Sequence, residues 1–176
     1  VAFIGRHLAS KLTDSNSANL AGTLLLLAPM FLSNAIIMTP DTIFCLAWAC
    51  SLLFTRQALH SDRPVSLWWL AVGAACGVGF LSKYTMVLFF LSLGVLWLSL
   101  PQKRKQIFWG TFLAAIIALI CFSPVIIWNA QNDWSSFRFQ LAHGLSKDKH
   151  NILSTIGNYL GALLLIVTPL ISLLSF

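Results

Sequence analysis

The feature that most constrains this chain is its first apolar stretch, which runs from Leu20 to Leu59 and whose turn-forming residues cluster near Thr39-Pro40-Asp41. As one helix the stretch would be about 60 Å long at 1.5 Å per residue, whereas the hydrocarbon core of a bilayer is about 30 Å thick. The chain therefore has to turn near the middle of the stretch, where a proline stands among polar residues. The sequence predicts a membrane hairpin with Asp41 at its tip.

The same length argument divides the rest of the chain into spans. The stretch from Ser66 to Leu100 is too long for one span and is broken at Ser82-Lys83-Tyr84-Thr85. A turn there puts Lys83 at a membrane face, where a lysine costs less than at the bilayer centre. A later span is predicted to end close to Pro124. We predict an all-α, polytopic membrane helix bundle of about six spans, at about 20–38, 42–59, 66–82, 84–100, 107–127 and 152–176.

Composition and charge agree with a membrane protein, since 58% of the residues are hydrophobic and 9% are charged. Basic residues accumulate in cytoplasmic loops, and most of the Lys and Arg residues, including Lys103-Arg104-Lys105, fall on one predicted side. Orientation and anionic lipid therefore explain the net charge of +6. No basic stretch is interleaved with aromatic residues, so we predict no nucleic-acid partner. Asp41, Lys83 and residues 128–150 share the opposite, outward side.

The ends of the sequence suggest a fragment of one transmembrane domain, covering residues 1–176. Residues 1–4 resemble the tail of an earlier span, and a cytoplasmic loop is predicted over residues 5–17. The four cysteines fall inside predicted spans without metal-ligand spacing, so we interpret them as small apolar residues of the core. The sequence leaves open whether a divalent cation binds on the outward side. Such a site needs two or three carboxylates, and Asp41 has only Asp133 and Asp148 as further aspartates there.

Asp41 fits two roles. As the residue before Thr42 it would be a good N-cap, and the helix dipole favours a carboxylate there. A catalytic or acceptor-orienting carboxylate needs the same location, on the outward side and fixed by a proline turn. The two roles can coexist.

Lys83 also has two interpretations. Its side chain could snorkel to the membrane surface, or it could bind a lipid phosphate at the headgroup level as a compact point charge. The small residues before it, Gly77, Gly79 and Ser82, leave room for a ligand. Gly73 and Gly77 also have the small-xxx-small spacing that predicts close helix packing.

The longest outward segment covers residues 128–144. Trp134, Phe137 and Leu141 recur at helical spacing, which suits a helix lying in the membrane interface. One interpretation is a connector parallel to the membrane. The other is a substrate-binding lip that presents Asp133, Arg138 and His143 to a polar ligand.

These motifs, taken in order, resemble bacterial members of glycosyltransferase family 39. Those enzymes are relatives of dolichyl-phosphate-mannose protein mannosyltransferases and of the aminoarabinose transferase that modifies lipid A. The resemblance covers nearly the whole chain and rests on Thr39-Pro40-Asp41, residues 79–84, Pro124, Trp128-Asn129 and residues 137–140. It implies a GT-C fold, a polyprenyl-phosphate-linked sugar as donor, membrane lipids as surroundings, and transfer on the outer face of a bacterial inner membrane.

The resemblance also implies roles for single residues. In such families the principal catalytic acid lies in a first outward loop that this sequence does not contain, so the chain is expected to be inactive alone. Asp41 would be the acid of the second outward loop, near the acceptor or supporting the missing acid. Lys83 would pair with the lipid phosphate, and Arg138 would be a second phosphate contact. Sugar transfer with inversion needs such a base and such a positive charge.

Two other classes of protein fit part of the pattern. An outward aspartate and lysine among many spans would suit a transporter or a flippase for lipid-linked sugars, although the sequence shows no convincing internal repeat. A non-enzymatic scaffold subunit would tolerate changes at Asp41 and Lys83 and would be disrupted by changes at Gly73 or Gly77.

Overall fold

The computed structural model describes residues 1–28, 39–61 and 66–145, without the side chains of residues 143–145. The described residues form seven α-helices: α1 Ala2–Ala9, α2 Ser15–Leu27, α3 Pro40–His60, α4 Trp68–Ser82, α5 Val87–Ser99, α6 Arg104–Gln131 and α7 Ser135–Leu145. Short 3-10 helices, Tyr84–Met86 and Pro101–Lys103, precede α5 and α6. The predicted all-α membrane fold is confirmed. The predicted span at 152–176 and residues 29–38 of the first span lie outside the described residues.

Two described helical stretches, Pro40–His60 and Pro101–Gln131, are long and apolar enough to cross a membrane. The helices Trp68–Ser82 and Tyr84–Ser99 are apolar but shorter. Large aliphatic side chains cover the outside of the bundle, among them Leu46, Leu52, Leu91, Val95, Leu119 and Ile120. An apolar outer surface of this extent fits a lipid environment and not water.

The central helix is α4, which packs against both α3 and α6. A methyl group built on Gly73 would lie 2.6 Å from the carbonyl oxygen of Ala114, and one built on Gly77 would lie 2.4 Å from Cβ of Cys121. The small-residue spacing therefore does serve close packing of two helices, as predicted. The buried core around this contact consists of Ala58, Trp69, Val72, Cys76, Met86, Phe89, Leu93, Ala114 and Ala118.

Helix α6 continues through Pro124 to Gln131, so the prediction that the helix ends close to this proline is wrong. Proline has no N–H and leaves the carbonyl group one turn earlier without its helical donor. The hydroxyl of Ser123 donates to the carbonyl oxygen of Ile120 at 2.8 Å and replaces that hydrogen bond. A serine beside the proline thus lets an apolar helix continue where no water is present.

The N-terminal residues are more helical than predicted. Helix α1 and the start of α2 occupy much of the predicted loop at residues 5–17. Asp14 is the N-cap of α2 and accepts hydrogen bonds from the backbone N–H groups of Asn16 and Ser17 at 2.9 and 3.1 Å. Hydrogen bonds from the Ser17 hydroxyl and N–H, with others, lower the pKa of the Asp14 carboxyl to about 2. The loop prediction failed because polar residues at a helix start were interpreted as irregular structure.

Candidate functional site

The start of α3 and the end of α4 meet at one end of the helix bundle. The ammonium group of Lys83 forms an ion pair with the carboxylate of Asp41. The hydroxyl of Ser82 donates a hydrogen bond to the carbonyl oxygen of Pro40, 42 positions away in the chain. These two contacts show that Asp41 and Lys83 lie at the same end of the bundle, as the turn predictions required.

Asp41 lies in the first turn of α3 and is not its N-cap. The N-cap is Thr39, and Pro40 is the first helical residue, so the prediction of Asp41 as a cap is wrong. Proline is well suited to that first position because its fixed φ is helical and its missing N–H has no helical acceptor there. The first turn still favours a carboxylate, since the helix dipole is positive at this end.

Lys83 ends α4 with an extended backbone, at φ −147° and ψ 133°. Its N–H still donates to the carbonyl oxygen of Gly79 at 2.8 Å, and its own carbonyl oxygen accepts from the N–H of Met86 at 3.1 Å. The residue therefore separates two helices without leaving its backbone unpaired. The helix break predicted at residues 82–85 is present, and it directs the lysine towards Asp41.

The ion pair lies at the surface of the described residues, because 43% of the Lys83 side chain and 36% of the Asp41 side chain are exposed. Exposed pairs of this kind contribute about 0–1 kcal/mol to stability. An ammonium group has three N–H donors and a carboxylate has two acceptor oxygens. The pair is thus too weak to explain the fold, and both charges can reach a ligand.

Two cavities flank the ion pair. One, of about 340 Å³, is lined by residues 81–85 and by Gln140 of α7. The other, of about 410 Å³, is lined mainly by apolar side chains of the α3 start and α4 end, among them Pro40, Ile43 and Leu81. A polar cavity next to an apolar one suits a ligand with a charged group and a lipid chain.

Ring contacts bring α7 to the Lys83 turn. The ring of Tyr84 lies 5.2 Å from that of Phe137 and 5.7 Å from that of Phe122, measured between centroids. Phe137 and Gln140 are three residues apart and share one helix face, so the contact at Phe137 puts Gln140 beside Lys83. We did not predict Gln140 as a site residue, because its spacing from Phe137 identifies it only once the contact of Phe137 with Tyr84 is known.

The remaining predicted site residues are not joined to the ion pair by any contact within the described part of the chain. Arg138 is exposed on α7 and forms no ion pair with a described residue. Asp133 is exposed in the turn between α6 and α7, where it has a left-handed φ of 53°. His143 lies in α7, but its side chain is outside the described residues. Their roles therefore stay predictions.

A buried asparagine connects α6 to α7. The side-chain amide of Asn129 donates to the carbonyl oxygen of Val125 at 2.9 Å, and its oxygen accepts from the N–H of Ser136 at 3.2 Å. Asn129 is fully buried, at 0% exposure. It therefore supplies an acceptor to the first turn of α7, whose N–H groups have no helical partner of their own.

Asn129→Ala is expected to loosen α7, because a buried hydrogen bond to its first turn is lost, at a cost of about 1–3 kcal/mol. Hydrogen exchange of the backbone amides in α7 should become faster, while exchange in α4 should not change. The matched control is Asn132→Ala, whose exposed amide donates only within α6, to the Trp128 carbonyl. Equal exchange in wild type and Asn129→Ala would show that α7 is positioned by its ring contacts instead.

Fold and site together define a class: a helical membrane protein with a charged pair at one end of the bundle, between a polar and an apolar cavity. Among the described residues, no group of three or more His, Cys, Asp or Glu side chains could bind a metal ion. The described residues at this site supply a carboxylate from Asp41, an ammonium group from Lys83 and an amide from Gln140.

The chain belongs to the dolichyl-phosphate-mannose-protein mannosyltransferase family, whose sequence profile matches residues 6–128. The matched region contains both Asp41 and Lys83 and ends just before Asn129. No curated protein and no solved structure matches the chain. Family membership confirms the resemblance stated from the motifs and supports a membrane protein with glycosyltransferase function.

Proposed function

We propose that this chain forms the donor-phosphate site of an integral-membrane glycosyltransferase, which moves a sugar from a polyprenyl-phosphate carrier to an acceptor. The observation that carries the proposal is the ion pair of Lys83 with Asp41, exposed between a polar and an apolar cavity. The family name supports it, since it describes a sugar carried on a lipid phosphate.

The reaction creates negative charge at one place. The bond between the sugar C1 and a phosphate oxygen breaks, and its electron pair stays on that oxygen. The acceptor oxygen or nitrogen forms the new bond to C1 and loses a proton to a base. The lipid phosphate thus gains one negative charge, and the fixed ammonium of Lys83 would stabilise it as it develops.

Asp41 would first form the ion pair with Lys83 and would then accept a hydrogen bond from the acceptor. Without substrate it is the partner of the ammonium group. When the donor phosphate replaces Asp41 as the partner of the Lys83 ammonium, the Asp41 carboxylate becomes free to accept a hydrogen bond from the acceptor hydroxyl or amine. The amide of Gln140, which lines the polar cavity, would bind sugar hydroxyls as donor and acceptor.

Charge placement supports an outward orientation for this site. Lys103 donates to the carbonyl oxygen of Leu59, so the basic segment 103–105 lies at the end of α3 opposite Asp41. Basic segments of this kind face the cytoplasm. The Asp41 and Lys83 end would then face outward, and the resemblance to bacterial members of the family supports an inner membrane as the location.

Asp41→Asn is expected to separate binding from transfer in the full-length protein. Transfer of labelled sugar from a polyprenyl-phosphate donor should fall about tenfold or more, because the acceptor hydroxyl or amine can no longer donate its hydrogen bond to the Asp41 carboxylate. Binding of polyprenyl phosphate should stay equal or become tighter, because Lys83 loses a competing anion. Transfer is measured in membranes with labelled donor, and binding by titration of the purified protein.

The control is Asp14→Asn, at a carboxylate that caps α2 far along the chain from the site. It should leave transfer and binding at wild-type levels. Two results would contradict the proposal: normal transfer by Asp41→Asn, or movement of the labelled lipid across vesicle membranes with no glycosylated product. The second result would favour a flippase.

A further inference from the structure

An apolar groove lies between α5 and α6, away from the Asp41 and Lys83 pair. Its volume is about 470 Å³, and residues of both helices line it, including Leu93, Gly94, Trp97, Phe108 and Phe112. A methyl group built on Gly94 would have no atom within 4 Å. The helix surface is therefore open at this glycine, and an apolar chain could lie against it.

A basic cluster lies at one end of the groove. The guanidinium carbon of Arg104 is 5.3 Å from the centre of the Trp97 ring, and Trp97 lines the groove. The Nε and Nη2 groups of Arg104 donate weakly to the carbonyl oxygens of Trp97 and Leu98, at 3.4 and 3.5 Å. A guanidinium has five N–H donors, so others are available to an anion, and the exposed Lys105 adds a second charge.

Hydrogen bonds fix this cluster against the end of α3. Lys103 donates to the carbonyl oxygen of Leu59. The amide of Gln106 donates to the carbonyl oxygens of Ala58 and Ser61, at 2.9 and 3.1 Å. The start of α6 is thus fixed at the end of the bundle opposite Asp41. Arg104 and Lys105 therefore lie at the end of the groove on that side.

We propose that the groove binds one molecule of an anionic glycerophospholipid. An acyl chain would lie along Gly94 between α5 and α6, and the phosphate would contact Arg104 and Lys105. Charge complementarity identifies the occupant: guanidinium groups match phosphate geometry, and basic clusters at the ends of membrane helices bind anionic headgroups. The charged end of the groove lies opposite the Asp41 and Lys83 end of the bundle. We therefore assign the groove to a bound membrane lipid and not to the sugar donor.

Native mass spectrometry of the full-length protein tests this, with phosphatidylglycerol or phosphatidylcholine added during purification. Wild type should retain one phosphatidylglycerol at least about fivefold more often than phosphatidylcholine, since each of the two basic side chains near the headgroup is expected to contribute about 1 kcal/mol. Gly94→Leu should fill the groove, so this variant should lose the retained lipid. The substitution should not weaken α5 itself, because leucine favours a helix more than glycine does. The double variant Arg104→Gln with Lys105→Gln should retain both lipids equally.

Two controls match these variants. Val95→Leu changes an exposed residue of α5 that does not line the groove, and Lys11→Gln removes an exposed charge before α2. Both should behave as wild type, and the unfolding temperature in detergent verifies that every variant is folded. Equal retention of the two lipids by wild type, unchanged retention in folded Gly94→Leu, or displacement of phosphatidylglycerol by polyprenyl phosphate would each overturn the proposal.

Discussion

Lys83→Ala is expected to lower sugar transfer by the full-length protein about tenfold or more, which corresponds to a loss of about 1.4 kcal/mol of transition-state stabilisation. The ammonium group would contact the phosphate in the bound donor and more strongly in the transition state, where the phosphate gains a charge. Both kcat and kcat/KM should therefore fall. Initial rates measured over a range of donor concentrations separate the two parameters.

Protein level and unfolding temperature should change little in Lys83→Ala, because the ion pair is exposed and contributes at most about 1 kcal/mol. Lys83→Arg keeps the charge in a different geometry and should recover part of the rate. Lys11→Ala, which removes an exposed lysine before α2, is the control and should transfer normally. Near-normal turnover by Lys83→Ala would remove the phosphate role.

Gly73→Val is expected to destabilise the helix bundle by about 1–3 kcal/mol, the usual cost of overpacking. A Cβ at this position would lie 2.6 Å from the Ala114 carbonyl oxygen and 2.7 Å from Cβ of Ile117. The first contact is to backbone, so α4 and α6 would have to move apart. Reversible unfolding of the purified protein in mixed detergent measures the free-energy difference.

The matched control is Ala74→Val, at the next position of the same helix, where the side chain is exposed. It introduces the same β-branched residue without the contact to α6 and should cost well under the amount lost in Gly73→Val. Equal destabilisation by the two variants would assign the effect to valine in a helix and not to the packing of α4 on α6.

The lengths of the apolar stretches predicted the part of the fold that bilayer thickness dictates. The break at Lys83 and the helix beginning near Asp41 follow from that arithmetic, and both are present. The helix caps and the C-terminal end of α6 were predicted less well. They depend on local compensation, such as the Ser123 hydroxyl that replaces the hydrogen bond lost at Pro124, and no apolar pattern contains this information.

The candidate site was predicted as residue types on one side of the membrane, without their contacts. The pairing of Asp41 with Lys83 depends on how α3 packs against α4, which is a tertiary property. Gln140 was missed because a neutral amide has no charge signal in a sequence, and because α7 is positioned by the ring contact of Phe137 with Tyr84. Spacing on a helix face could have identified it, but only once that contact was known.

The most direct test of the central claim is the affinity of the purified full-length protein for polyprenyl phosphate without sugar, compared between wild type, Lys83→Ala and Lys11→Ala. If Lys83 binds the donor phosphate, Lys83→Ala should bind about tenfold more weakly, as expected for loss of a charged hydrogen bond, while Lys11→Ala binds as wild type does. Equal affinity in all three proteins would contradict a phosphate site at the Asp41 and Lys83 end of the bundle.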